Sequence, residues 1–319
     1  SGAGGGNTGT VRYNIGGKGT DSVFSGTIQG SGTEQVIVRK TGAGTLTLDG
    51  TLTYDGSTTV SNGVLKIASL SSPGTSLDTS SGIIVRSGAF LDVSDRSDAS
   101  LNIGNTVAQS VGGSGTIRGS LVLPGTAVGT INPGDAIGTL NVTNVVTIAV
   151  GSIVNIDVNR TNAQTSDKIS AGGAITVNGG TLNLTNLGPD LITGDVFQVF
   201  NQATIGNFSI TNLPGSNVLN TVEYVWTNKL AIDGTLVLLQ GASPLASYST
   251  NITATVAGDT ITVSWPSTHL GWQLAVQTNS INVGLANNWV TNLGTASVTS
   301  TNFPINPANG AVFYRLVRP

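Results

Sequence analysis

Cysteine is absent from the 319 residues, and so is methionine. The first absence excludes disulfide frameworks, thiolate catalysis and cysteine-based zinc sites together. The second means that the start residue is gone, and the small-residue opening Ser1-Gly2-Ala3-Gly4 is the kind that a cleaved secretory signal, or plain removal of Met before Ser, leaves behind. Charge is scarce too. Only 9% of residues are Asp, Glu, Lys or Arg, against about 25% in an ordinary globular chain. The net charge is −3, and no basic run exceeds Arg39-Lys40, so nucleic acid is not an expected partner. No apolar stretch approaches the roughly 18 residues that cross a bilayer, so no transmembrane segment is expected. No window of a dozen residues sustains apolar positions at i, i+3, i+4 and i+7, which excludes long amphipathic helices.

What remains is 38% hydrophobic residues and 44 glycines, with Ser, Thr and Asn in most polar positions. That is the reverse of the disorder signature, which combines low hydrophobicity with high charge. Short bursts of Val, Ile, Leu and Thr are punctuated by N-G, D-G, S-G and P-G, the pattern of an all-β chain. A strand, a small Gly turn and a second strand recur, as in STTVSNGVLKI (57–67), GIIVRSGAFLDV (82–93), VTIAVGSIVNIDV (146–158), AITVNGGTLNL (174–184) and KLAIDGTLVLL (229–239). The turn glycines Gly63 and Gly88 lie 25 residues apart, which leaves room for a third strand in each unit.

Two architectures produce such a pattern: antiparallel hairpins with type I′ turns, or a parallel solenoid in which the Gly breaks are corners. The common length of the units favours the solenoid over roughly residues 10–240, in nine or so coils. In it Leu46, Leu48, Val60, Leu65 and Ile67 point inward and stack on the next coil, while Thr45, Thr47, Thr59 and Lys66 face water. The stretch QGASPLASYST (240–250) marks a change of composition. The predicted organisation is a solenoid over 1–240, a linker over 241–250 and a C-terminal domain over 251–319. Five strand candidates follow the linker, at 259–265, 271–278, 287–293, 296–305 and 311–317. With Trp265, Trp272 and Trp289 they suggest a small antiparallel β-sandwich.

The run GAGTLTLDGTLTYDGSTTVSNGVLKI resembles the autotransporter-associated β-strand repeat, also called the passenger-associated transport repeat, of form G-x-G-T-L-T-L-x-G-x-N-T-Y-x-G-x-T-T-V-x-x-G-T-L. Leu52 stands where the repeat has Asn. The block GSGTIRGSLVLPGTAVGTINPGDAIGTLNVTNVVTIAVGSIVNIDVN is similar to the G-x-I-x-P-G-x-x-I-G-T-L segment in the distal part of such passengers. The resemblance covers about residues 42–240 and implies a right-handed β-solenoid, secreted to the extracellular space or cell surface of a Gram-negative bacterium. The pattern departs at the C-terminus, where Pro319 follows a short Trp-bearing domain instead of a membrane β-barrel.

No residue set suggests catalysis, a cofactor or a metal, and the expectation is a protein that is not an enzyme. His269, the lone histidine, reads as an exposed loop residue. Asp92, Asp95 and Asp98 offer oxygen ligands for calcium, but they lack the glycine and the terminal acid of an EF-hand loop, and read as a solvated turn. Asp49 with Asp55, and Asp190 with Asp195, are close in sequence but fall in turns, not in the facing arrangement a glycosidase needs. GAGGG near the N-terminus and GGSG at 112–115 precede no helix and read as turning backbone. The N-x-S/T triplets at Asn141, Asn183, Asn207 and Asn251 read as products of composition.

The leading functional expectation is a structural subunit of an extracellular filament, sheath or surface layer. Solenoid ends expose unpaired strands and apolar core, and few like charges oppose contact between copies. Its partners would be copies of itself. The interface candidates are Val312, Phe313, Tyr314 and Leu316, with the Gly-rich N-terminus. The alternative is an adhesin or carbohydrate-binding passenger, with the solenoid as stalk and Trp272 or Trp289 stacking on the rings of a surface polysaccharide.

Overall fold

The computed structural model describes residues 9–30, 35–68, 76–217, 222–241 and 250–318. They fall into two compact units, Ser1–Gly215 with Val225–Leu239, and Ser216–Tyr224 with Gln240–Pro319.

The first unit is a parallel β-solenoid of about eight coils. Coil 1 is β1 (Thr10–Ile15), β2 (Ser22–Phe24) and β3 (Ile28–Gln29), and coil 2 is β4 (Gln35–Lys40), β5 (Thr45–Leu48) and β6 (Leu52–Thr53). Coil 3 contributes β7 (Thr58–Val60) and β8 (Val64–Ile67). Coil 4 is β9 (Gly82–Val85), β10 (Phe90–Asp92) and β11 (Ser100–Asn102). Coil 5 is β12 (Gln109–Gly113), β13 (Thr116–Arg118) and β14 (Ser120–Leu123), and coil 6 is β15 (Gly129–Pro133), β16 (Thr139–Val142) and β17 (Val146–Ala149). Coil 7 is β18 (Ile153–Val158), β19 (Lys168–Ala171) and β20 (Ile175–Asn178), coil 8 is β21 (Thr181–Asn186), β22 (Val196–Gln198) and β23 (Thr204–Asn207), and β24 (Ile210–Asn212) opens a ninth.

Strands at like positions pair in parallel. The first wall is a nine-stranded sheet from β1 to β24, the second a seven-stranded sheet from β2 to β19, and the third a five-stranded sheet from β11 to β23. A parallel pair needs a long crossover, and here the other two walls of the same coil supply it. The strand sequences explain the rest. Apolar residues alternate with Thr, Ser and Asn, so one face of each strand enters the bore and the other meets water. Leu46, Leu48, Val60, Leu65 and Ile67 are buried as expected; Val85 stacks on Val60, and Leu91 and then Ile117 on Leu65, all buried in turn. Each such aliphatic side chain contributes about 1.5–3 kcal/mol by leaving water.

The coil pattern stops earlier than the sequence predicts. KLAIDGTLVLL does not wind as another repeat: β25 (Val225–Lys229) leads through the four-residue helix α1 (Leu230–Asp233) into β26 (Thr235–Gln240). β26 lies antiparallel on β22, with Phe197 opposite Leu236, and Phe197, Leu230, Leu236 and Leu238 are buried together. Gly234, left-handed at φ 79°, turns the chain back at the end of α1. A local Gly turn specifies that the chain bends, but not whether the strand after it continues the coil or reverses on it.

The second unit holds two three-stranded antiparallel sheets. One is β27 (Thr253–Ala257), β28 (Thr260–Ser264) and β31 (Ser300–Pro304); the other is β29 (Gln273–Asn279) between β30 (Val290–Asn292) and β32 (Ala311–Val317). Val263, Trp265 and Leu274 form their core, with Phe303, Tyr314 and Leu316 packed against it. β27 was not among the strand candidates, and residues 242–249 of the predicted linker lie outside the described residues.

Candidate functional site

The segment with the repeat signature shows what its residues are for. Leu46, Leu48, Leu52 and Leu65 fill the bore. Tyr54 is buried with them, and its hydroxyl lies 2.6 Å from Thr58 Oγ1, which lies 2.9 Å from Ser80 Oγ of the following coil. Ser80 Oγ donates to the Gly56 carbonyl at 2.9 Å, so this polar thread inside the bore is satisfied. Burial pushes the Tyr54 hydroxyl pKa up, so that it remains a neutral hydrogen-bonding group. Three residues separate Tyr54 from Thr58, and the T-Y-x-G-x-T-T-V spacing is the length of corner that lets the two hydroxyls meet.

Lys40 is the unexpected member. It is only 1% exposed, and its Nζ donates to the carbonyls of Thr41 at 2.7 Å, Gly42 at 2.7 Å and Asn62 at 3.2 Å. All three ammonium protons are used, and one lysine ties the corners of coils 2 and 3 together. Burial lowers its pKa, with Asp21 acting in the opposite sense. A single Lys in an alternating strand gives no signal for this role, because its register partner Ile15 is apolar.

The two ends of the solenoid differ. At the C-terminal end, the place above β22 is taken by the reversed strand β26. At the N-terminal end the bore stands open among the described residues. Val11 and Tyr13 of β1 pair in register with Val36 and Val38, and Phe24 of β2 pairs with Leu48. Val36, Val38 and Leu48 are 5%, 0% and 0% exposed, whereas Val11, Tyr13 and Phe24 are 36%, 44% and 38% exposed. Equivalent inward positions one coil apart thus go from core to surface because no described strand covers the first coil.

The predicted site residues are scattered. Val312, Phe313, Tyr314 and Leu316 all lie half-buried on β32, an edge strand, and Tyr314 and Leu316 are part of the core of the second unit. Trp289 lies under the Arg315 guanidinium, 4.3 Å from its ring centroid, and Trp272 lies 5.0 Å from the His269 ring. His269 itself is buried, contrary to the exposed loop position expected: a 3₁₀ turn over Ser267–His269 carries it inward against Trp272. The Gly-rich N-terminus lies outside the described residues.

Asp92, Asp95 and Asp98 do not converge. Asp92 accepts from Ser94 and sits 3.6 Å from Arg118, Asp95 pairs with Lys66, and Asp98 holds Arg96 at 3.0 Å. Asp195 holds Arg160 at 3.2 Å and also accepts from the Ile192 amide, while Asp55 accepts from the Val36 amide. Among the described residues no group of three His, Asp or Glu side chains is arranged to hold a metal. A small pocket lined by Ile67, Leu77, Val93, Arg96 and Leu101 has room for about one water.

Asp167 was also missed. It is buried, its two carboxylate oxygens accept from the amides of Gly138 at 2.8 Å and Asp157 at 2.9 Å, and burial pushes its pKa up to about 7. It closes the base of the excursion 159–167, where Val158 and Ser166 form an antiparallel bridge, and its work there is structural.

Among the described residues no helix is long and apolar enough to cross a membrane. Comparison with curated proteins finds no match. Residues 38–67, from β4 through β8, match the family model of the passenger-associated-transport-repeat, where the corner, the Tyr54 thread and the inward leucines all lie. The chain carries a passenger-associated-transport repeat, built into coils 2 and 3 of a parallel β-solenoid.

Proposed function

We propose that this is an exported, non-catalytic structural protein of the bacterial cell surface, which builds an extracellular filament, sheath or layer by joining copies of itself. The single observation that carries the reading is the first described coil, where Val11, Tyr13 and Phe24 are exposed while their register partners one coil on are core. Apolar core and an unpaired strand edge at one place favour association. The repeat supports export, since it is of passenger type. The engagement of Asp92, Asp95, Asp98 and Asp195 by basic side chains supports a role without catalysis.

The antiparallel β26 changes how joining can occur. The C-terminal end of the first unit is not a copy of the free end a further coil would need, so coil-on-coil stacking from head to tail is obstructed at the second wall. The carbohydrate-binding alternative gains no specific support, since Trp289 has Arg315 across one face and Trp272 has His269 beside it.

Negative-stain electron microscopy and sedimentation of the purified chain over a concentration series test the reading. Oligomers or filaments that grow with concentration are expected. A chain that sediments as a monomer up to its solubility limit would remove the basis for a structural subunit.

A further inference from the structure

We propose that the loop joining β29 to β30 in the second unit, residues 280–289, is a lipid-docking site whose aliphatic side chains enter the acyl region of a bilayer surface. The inference goes beyond the structural-subunit reading and rests neither on self-association nor on the first coil.

Ile281, Val283 and Leu285 stand at alternate positions of this loop, each between 62% and 77% exposed. A loop that only turned the chain would carry small or polar residues there. No Asp, Glu, Lys or Arg occurs from Asn279 to Leu293. Aliphatic side chains have neither donor nor acceptor, so what they select is apolar, not a sugar or an inorganic ion.

The loop is braced from inside. Gln277, buried on β29, accepts from the Ala286 amide at 2.9 Å and donates to the Ala286 carbonyl at 2.7 Å and to Asn288 Oδ1 at 2.6 Å. Asn279 donates to the Gly284 carbonyl at 2.7 Å and accepts from Asn288 at 2.8 Å. The amides of Val283 and Gly284 donate to the Ser280 carbonyl at 3.0 and 3.2 Å. The amides and carbonyls of Gly284 and Ala286, and the Val283 amide, thus have partners within the protein. Backbone that leaves water for hydrocarbon needs such partners, because lipid supplies none. The bracing also fixes the loop beforehand, so docking has little left to order.

Two further observations select a bilayer over a protein. Trp289, at the end of the loop, has the Arg315 guanidinium 4.3 Å from its ring centroid, and among the described residues no carboxylate pairs with Arg315. An aromatic ring beside an unpaired cation suits the level of the headgroup phosphates, just outside the acyl region. The size of the patch points the same way. A stable protein interface takes about 800 Å² and roughly 20–30 residues on each partner, far more than three side chains of one loop supply. A fluid bilayer requires no matching shape, and a single shallow insertion gives reversible binding.

Flotation of the full 319-residue chain with phosphatidylcholine vesicles on a sucrose gradient tests the site. The wild type is expected in the floating fraction. Ile281→Asp and Leu285→Asp each put a carboxylate where hydrocarbon would be, and each is expected to lower the bound-to-free ratio about tenfold or more. Both side chains are exposed, so the melting temperature and the β-sheet circular dichroism are expected to stay those of the wild type. Val256→Asp, at a comparably exposed position on β27 in the other sheet, is expected to float like the wild type.

A wild-type chain that remains at the bottom of the gradient, or a loss in Val256→Asp as large as that in Ile281→Asp, overturns the proposal. No flotation of the wild type, together with self-association that Ile281→Asp abolishes, also overturns it and makes the loop a joint between copies. Sedimentation without vesicles reads assembly separately. A chain that floats but never assembles sinks the structural-subunit reading and leaves this inference standing; a chain that assembles but never floats does the reverse.

Discussion

Asn183 donates its side-chain amide to the Asn155 side-chain oxygen at 2.8 Å, across 28 residues of sequence. Asn155 donates in turn to Asn132 at 2.7 Å, and Asn183 accepts from Asn212 at 2.7 Å, so four asparagines climb the first wall from β15 to β24. The ladder ends below Asn132 because its register partner there is Gly112, which has no side chain. Asn183 also begins an N-x-T triplet, and the ladder gives its amide a structural use. Asn183→Ala removes one donor and one acceptor from the middle of the row. It is expected to lower the unfolding free energy by about 1–2 kcal/mol, measured by urea denaturation.

Lys40 and Lys66 separate buried from exposed cations. Lys40→Met leaves the carbonyls of Thr41, Gly42 and Asn62 without their donor, and a loss of about 2 kcal/mol or more is expected. Lys66→Met breaks only a surface pair with Asp95 and is expected to change stability by about 0.5 kcal/mol or less. Equal effects in denaturant titrations would mean that the Lys40 network contributes little.

Gly63 and Gly88 occupy matching turns, both left-handed, at φ 66° and φ 76°. A Cβ on Gly63 would lie 2.5 Å from the carbonyl oxygens of Gly42 and Gly44, whereas one on Gly88 meets nothing within 4 Å. Gly88→Ala is expected to cost about 1–2 kcal/mol from backbone strain alone. Gly63→Ala adds a clash between coils and is expected to cost about 3 kcal/mol or more, or to prevent folding at 37 °C. Thermal melts of the two variants decide this directly.

Asp167 predicts a pH dependence of definite sign. Its folded pKa is raised to about 7 from 3.8, so between those values the folded chain holds a proton that the unfolded chain has lost. The stability it contributes is full below pH 3.8 and is lost as pH rises through about 7. Unfolding free energies measured from pH 4 to 8 should fall more steeply for the wild type than for Asp167→Asn. Parallel profiles would show that its two amide donors hold the carboxylate ionised.

Tyr54→Phe deletes the outer hydroxyl of the thread through Thr58 and Ser80. Thr58 keeps Ser80 as a partner, so a loss of about 1 kcal/mol is expected, with the fold intact by circular dichroism.

Much of the solenoid is legible in single strands. The alternation in TLTL and VLKI assigns Leu46, Leu48, Leu65 and Ile67 to the bore, and the Gly turns mark the corners, because both depend on the chain's own period and backbone freedom. The same local character misleads at KLAIDGTLVLL, whose strand, Gly turn and strand look like another coil but lay a reversed strand on β22. Likewise, a 3₁₀ turn decides the burial of His269.

The all-β class, the coil length and the apolar side of each strand follow from the order of residues, since neighbours along the chain dictate these. Only the folded chain shows that Lys40 reaches three carbonyls, that four asparagines line up, and that a reversed strand, β26, lies on β22 after the last coil. Each of those depends on which residue a neighbouring coil places about 4.8 Å away, a register that a chain acquires only when it has wound upon itself.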